Sequence, residues 1–224
     1  MTLIQKIQQH SSLTQQDIHE FIQTLIHPDI DQDTKAELLR EYTARPLNQT
    51  EVTYLVQAMI QTMYPIQPVY PGAMCVCGTG GDKSNSFNIS TTTAFVVASA
   101  GVKVLKHGNR SITSASGSTD LLNKMGIAGT QVIDAEAKMD EIGLAFLNAT
   151  DTYPVMKHIQ PIRKMLEGPT IFNILGPMIH PFKLDYQVVG VYNPDFVKTM
   201  AQTLYDLGLS LIHISEPTRQ AEIS

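Results

Sequence analysis

The sequence predicts an α/β fold in which a small N-terminal helical domain precedes a larger, mostly parallel sheet covered by helices. Two observations carry this expectation. Through the first seventy residues, apolar side chains recur only at helical spacing. From residue 74 onward, short apolar runs of strand length alternate with helical segments, which is the grammar of βαβ units. With 224 residues and 43% hydrophobic content, the chain can bury a substantial core.

Taken in order, the N-terminus interleaves Leu3, Ile4 and Ile7 with Gln and Lys, so it offers neither the apolar stretch of a signal peptide nor a membrane-spanning run. A cytoplasmic location is expected, with no membrane partner. Thr14 followed by Asp17 makes a capping-box start for a helix that carries Ile18, Phe21, Ile22, Leu25 and Ile26 on one face and closes at Pro28. A second helix carries Leu38, Leu39 and Tyr42 and stops before Pro46. A third opens with Asn48 and Glu51 and carries Val52, Leu55, Val56, Met59, Ile60 and Met63. By themselves these three describe an ordinary helical bundle. Beyond the turn-rich stretch 65–72, strands are expected near 74–77, 102–105, 144–147 and 187–191, and helices near 91–100, 118–125, 154–166 and 194–207. Such alternation places ligands beyond the carboxyl ends of the strands.

The formal charge is −5, with Lys and Arg scattered, so no basic stripe exists for a nucleic-acid backbone and a small-molecule ligand is the better expectation. The two cysteines, Cys75 and Cys77, lie two apart on the first expected strand. Their side chains share a face but are poorly placed to bridge, and they read as buried thiols. Two sulfurs cannot complete a structural zinc site, and no neighbouring His or Cys pair in the sequence supplies the rest.

Chemistry concentrates at the strand ends. Gly78-Thr79-Gly80-Gly81-Asp82 directly follows the first strand, and its glycines allow a sharp turn whose N–H groups form an anion-holding nest. Ser86, Asn88, Ser90 and Thr91 gather where the next helix begins, adding hydroxyls, an amide and helix N–H groups. At the end of the second strand stand Lys106, His107, Gly108, Asn109 and Arg110, followed by Ser111, Thr113, Ser114, Ser116 and Ser118. Two cations and a rank of hydroxyls suit a polyanionic ligand. A solvated basic loop would leave the glycines and hydroxyls unexplained.

Cys77-Gly78-Thr79-Gly80-Gly81-Asp82, then Asn88-Ile89-Ser90-Thr91, then the block 106–110, then Ser116-Gly117-Ser118 with Asp120, resemble in order and spacing the signature blocks of anthranilate phosphoribosyltransferases. The run Thr170-Ile171-Phe172-Asn173-Ile174-Leu175-Gly176-Pro177 resembles that family's next block. The resemblance covers residues 1–208. It implies a nucleoside phosphorylase/phosphoribosyltransferase-like fold, with a helical dimerisation domain over 1–70 and a phosphoribosyl pyrophosphate-binding α/β domain over 71–208 that is incomplete at its C-terminus. It implies transfer of a phosphoribosyl group from phosphoribosyl pyrophosphate to the amine of anthranilate, in tryptophan biosynthesis, by a Mg2+-dependent homodimer. Gly78, Gly81, Asp82, Ser86, Asn88, Ser90 and Thr91 would line the phosphoribosyl pyrophosphate site, Ser90 also touching the magnesium ion. Lys106, His107, Gly108, Asn109, Arg110, Ser114 and Ser118 would complete it, with Lys106, Asn109 and Ser118 holding phosphate groups. Gly78, His107, Asn109 and Arg163 would face anthranilate, the Arg163 guanidinium matching a planar carboxylate. No covalent nucleophile is implied.

Five positions depart from the family's usual pattern: Cys75 for Asp, Ala115 for Lys, Tyr153 for His, Pro169 for Arg and His180 for Asn. They touch the anthranilate side more than the diphosphate side. After Gly208 the resemblance stops. Residues 209–219 match, residue for residue, the translation of a transposase-library sequencing adapter, so 209–224 are read as a non-native tail, although Leu209, Leu211 and His213 alternate like a strand. The family's Asp-Glu pair for magnesium lies beyond this point, so little activity is expected of the chain ending at Ser224. Two other readings compete. A pyrimidine nucleoside phosphorylase has a similar fold but fits the 106–110 and 173–177 blocks less well. A non-catalytic nucleic-acid-binding paralogue would want a basic groove that the charge balance does not supply.

Overall fold

A computed structural model describes residues 1–80, 87–108 and 117–209. Four helices come first: α1 (Leu3–Gln8), α2 (Gln15–Ile26), α3 (Gln32–Thr43) and α4 (Gln49–Met63). Local chemistry sets their starts. Thr14 Oγ1 accepts from the Asp17 N–H at 3.2 Å while Asp17 Oδ2 accepts from the Thr14 N–H at 3.0 Å, so two otherwise orphaned donors are satisfied reciprocally. Asn48 caps α4 by accepting from the Glu51 N–H at 3.2 Å. Helix α1, absent from the sequence expectation, begins with the same device at Thr2 and Gln5 and buries Leu3 and Ile7.

The remainder runs β1 (Met74–Gly78), α5 (Ile89–Ser99), β2 (Val104–Gly108), α6 (Ser118–Lys124), α7 (Ala135–Ile142), β3 (Leu144–Asn148), α8 (Ala149–Thr152), α9 (Met156–Lys164), α10 (Phe172–Leu175), β4 (Tyr186–Gly190) and α11 (Val197–Asp206). All described pairings are parallel, in the order β3-β2-β1-β4. One sheet face, through Leu105, Ala145 and Leu147, packs on Ala135 and Met139 of α7 and on Phe182. The other, through Val104, Leu144 and Phe146, packs on Ala94 of α5 and Leu122 of α6. Edge strand β4 is thinly covered, with Tyr186 and Val188 at least half exposed. No described helix is long and apolar enough to cross a membrane.

The helices α1–α4 share one apolar core with residues of α9, α10 and α11, including Ile159, Ile162, Phe172, Leu175, Met200 and Leu204. Within that core lies a buried ion pair. Arg45 meets Glu51 through two contacts of 3.0 Å, with both side chains more than nine-tenths buried. Glu51 also accepts from the Leu13 N–H, and Arg45 also donates to the Ser11 carbonyl at 2.6 Å. The pair thereby ties the α1–α2 connection to the α3–α4 connection. Arg45→Ala should lower stability by about 3–5 kcal/mol, because it strands a buried carboxylate. Removing the exposed Lys138 partner of Glu141 should change stability by less than about 0.5 kcal/mol. Urea unfolding of both variants checks this, and equal midpoints would contradict the assignment.

Candidate active site

The strand order makes a switch point: β1 leads to β2 on one side, whereas β4 returns to the other side of β1. In open parallel sheets the crevice at such a reversal, outside the carboxyl ends, is where ligands sit. Here Gly78 lies opposite Gly190. A side-chain carbon on Gly78 would come within 3.1 Å of the Gly190 carbonyl, so the close approach of the two strands favours glycine. Thr79 then donates its N–H to the same carbonyl at 2.9 Å, and Gly80 turns the chain at φ +67°. Gly81, Asp82 and Ser86, like Asn109, Arg110 and Ser114, lie outside the described residues.

Strand β2 runs three residues further than expected. The expectation stopped it at Leu105, because Lys106, His107 and Gly108 read locally as a loop. The ladder to β3 carries on through Lys106↔Phe146, His107↔Leu147 and Gly108↔Asn148, and main-chain pairing overrides side-chain polarity. Period-two alternation then sends Lys106 and His107 to opposite faces. Lys106, 3% exposed, donates to the carbonyls of Val76 at 2.8 Å and His107 at 3.3 Å, and burial lowers its pKa. A third ammonium proton has no partner among the described residues. A side-chain carbon on Gly108 would fall 2.1 Å from Ser118 Oγ and 3.9 Å from Lys106 Nζ, so the start of α6 sits directly on the end of β2. Thr119 donates to Asn148 Oδ1 at 3.4 Å, fastening α6 to the end of β3 as well.

At the start of α5, Asn88 makes no side-chain cap, which leaves its amide uncommitted to the helix. Ser90 is half-buried, whereas Thr91 is 2% exposed and turned into the protein. Gly78, Lys106, Gly108 and Ser118 therefore share one edge.

On the opposite face, His107 is 6% exposed and flanked edge-on by the rings of Tyr153 and His180. Its Nε2 lies 3.1 Å from the Gly176 carbonyl and its Nδ1 3.4 Å from Cys75 Sγ. No His or Cys pair neighbours the cysteines along the chain, yet the fold brings one distant histidine to them. Which strands pair, and in what register, is not readable from spacing along the chain. Tyr153 donates its hydroxyl to the Ile179 carbonyl at 2.8 Å, so this departure serves as a packed wall.

Arg163, on α9, is half-buried, and no carboxylate pairs with it among the described residues. Its Nη2 donates to Asn173 Oδ1 at 3.0 Å and its Nη1 to Gln160 Oε1 at 3.3 Å. Asn173 also accepts from the Thr170 N–H at 2.9 Å. Sequence reasoning missed Asn173, although it stands inside a recognised block. One helical turn later, Gly176 meets His107, so α10 links the guanidinium to the strand ends.

An open parallel sheet with a glycine turn at its switch point belongs to the class of α/β proteins that hold anionic small molecules at their strand ends. More narrowly, residues 71–214 match the family described as "Glycosyl transferase family, a/b domain", and the chain belongs to that family. The chain is 83% identical over 207 residues to the anthranilate phosphoribosyltransferase of Staphylococcus carnosus (strain TM300), covering 92% of this chain and 61% of that protein. It is similar to the anthranilate phosphoribosyltransferase structure from Thermus thermophilus, at TM-score 0.83 and 33% identity, over 93% of this chain and 64% of that one. It is also similar to that of the Saccharomyces cerevisiae enzyme in complex with phosphoribosyl pyrophosphate and magnesium, at TM-score 0.80 and 27% identity, over 92% and 61% of the two chains. The chain thus spans about three fifths of the length of these relatives.

His180 gives the site a pH signature. Its Nδ1 accepts from the Phe182 N–H at 3.1 Å and its Nε2 faces the Leu105 carbonyl at 3.2 Å, which suits the neutral ring. Burial lowers its pKa from 6.5 to about 4. Between these values the unfolded chain takes up a proton that the folded chain refuses, so stability is full above pH 6.5 and falls as pH drops toward 4. The loss should reach about 3 kcal/mol. Urea midpoints measured between pH 7 and pH 4.5 should fall less steeply in His180→Asn, and identical slopes would contradict the assignment.

Proposed function

We propose that this chain carries the phosphoribosyl pyrophosphate and anthranilate sites of an anthranilate phosphoribosyltransferase, which makes N-(5-phosphoribosyl)anthranilate and pyrophosphate in tryptophan biosynthesis. The observation that carries the reading is Arg163: a half-buried guanidinium, held by Asn173 and Gln160, with no protein carboxylate beside it among the described residues. An aromatic amino acid such as anthranilate offers the carboxylate it lacks. The named relatives act on, or are bound to, the corresponding molecules.

In this reading the strand-end edge holds the diphosphate. Backbone N–H groups beyond Gly78, the Lys106 ammonium and the Ser118 hydroxyl supply donors, and Gly81, Asp82, Ser86, Asn109, Arg110 and Ser114 take the roles that the resemblance assigns. Preorganised donors of this kind favour the charge that grows on the leaving group, and no covalent nucleophile is needed. Arg163 orients anthranilate by its carboxylate, so that the amine faces the anomeric carbon. His107, neutral and turned toward Cys75, forms a wall of the site. For magnesium, Ser90 offers one hard oxygen in the first turn of α5, and no described acidic cluster would hold the ion unaided. Ser90 would then hold the ion by one oxygen, with water supplying further ligands. When bound, magnesium neutralises charge on the departing pyrophosphate. The reading further includes a cytoplasmic homodimer formed through the N-terminal helices.

Anthranilate fluorescence provides the assay. Its loss by the enzyme containing this sequence should require both phosphoribosyl pyrophosphate and Mg2+. Arg163→Ala should raise KM for anthranilate by an amount worth on the order of 2–3 kcal/mol, leaving KM for phosphoribosyl pyrophosphate nearly unchanged. An equal rise in both constants would contradict the assignment.

A further inference from the structure

Behind the wall that His107 lends the proposed site lies a cluster of buried ligating groups. Strand β1 directs Cys75 and Cys77 to the face that receives His107 from β2. The three are 0%, 4% and 6% exposed, and their ligand atoms all lie within 4.8 Å of one another. The imidazole tautomer follows from its partners. A carbonyl only accepts, so the nitrogen facing Gly176 carries the proton, and Nδ1 presents its lone pair to the sulfurs. Histidines that ligate metals are held in this manner, with one ring nitrogen toward the ion and the other donating to a carbonyl.

The cysteines suit the same end. In the metal-free arrangement the Cys75 thiol faces Nδ1, and the Cys77 thiol donates to the Pro177 carbonyl at 3.7 Å. Gln187 Nε2 lies 3.5 Å from Cys77 Sγ and would support a thiolate there. Neither neighbouring ring competes, because both nitrogens of His180 and the hydroxyl of Tyr153 have partners of their own.

We propose that Cys75, Cys77 and His107 form a zinc site, binding one Zn2+ through two thiolates and Nδ1. Charge favours this ion: two thiolates, a neutral imidazole and a divalent cation sum to zero, the condition under which such a group tolerates burial. Zn–S bonds of about 2.3 Å and a Zn–N bond of about 2.0 Å place tetrahedral neighbours roughly 3.5 Å apart. The Cys75–His107 separation of 3.4 Å already matches that edge. Sulfur ligands favour zinc over magnesium. The site is also separate from Ser90, whose helix α5 covers the other face of the sheet. No described side chain fills the fourth position, which is left to a small exogenous ligand. On binding, two thiol protons leave to solvent. The ion would join β1 to β2 just below Gly78 and Gly108.

The test is a Co2+ titration of the reduced, metal-free full chain, followed by Zn2+. Expected are saturation at one ion per chain, a thiolate-to-cobalt charge-transfer absorption, the intense visible bands of a tetrahedral ion, and their loss when Zn2+ displaces cobalt. Proton release in weak buffer should approach two per ion. Cys75→Ser and Cys77→Ser should each weaken the charge-transfer absorption, and the double variant should abolish it. Should these variants misfold by circular dichroism, the wild-type spectrum and proton count still decide. Absence of the charge-transfer band, the weak spectrum of an octahedral ion, or an undiminished band in the double variant would overturn the site. Because no readout involves anthranilate, phosphoribosyl pyrophosphate or Mg2+, failure here leaves the transferase reading untouched, and failure of that reading leaves this site standing.

Discussion

The in-register parallel ladder is the constraint on which the rest depends. Gly78 aligns with Gly190, and Gly108 with Asn148, so all four strands finish along one edge. Parallel strands cannot be joined by tight turns, and each crossover therefore returns the chain to the far side of the sheet before the next strand begins. Every loop that leaves a strand thus leaves on the same side. Groups separated by more than a hundred residues, such as Thr79 and Tyr192, meet there because the ladder permits no other arrangement.

The same ladder divides the chemistry between two faces. Extension of β2 through Gly108 puts a cationic residue and an imidazole next to each other in sequence, yet alternation turns them apart. The ammonium of Lys106 is desolvated against carbonyls beneath the strand ends. His107 is buried among rings and sulfurs, which keep it neutral. The link from His107 through Gly176 and α10 to Asn173 and Arg163 then gives the second face a cation of its own. A sheet only five residues deep can in this way place one cation at its edge and another on one flank.

Much of this was legible in the sequence wherever the signal was local. The capping pair Thr14 and Asp17, the cap at Asn48 and the glycine turn after β1 each depend on residues within a few positions. Helices α1 and α7 had readable signals too: a Thr2–Gln5 capping box for the first, and for the second Ala135 and Met139 at helical spacing ahead of a left-handed Gly143. What could not be read was long-range. The end of β2 depends on β3, and the meeting of Cys75 with His107 depends on which strands are neighbours. The Arg45–Glu51 pair depends on packing that buries both side chains, which residue spacing does not display. Arg163 was legible through the family resemblance, but the role of Asn173, which orients it, was visible only once the chain had folded back upon α9.

The central claim is that the strand-end edge holds the diphosphate, and amide hydrogen exchange on the chain tests it most directly. With phosphoribosyl pyrophosphate and Mg2+ added, exchange should slow at the amides beyond Gly78 and in the first turns of α5 and α6, while α1–α4 remain as they were. Protection confined to the helices α1–α4, or no change at the strand ends at saturating ligand, would contradict the account.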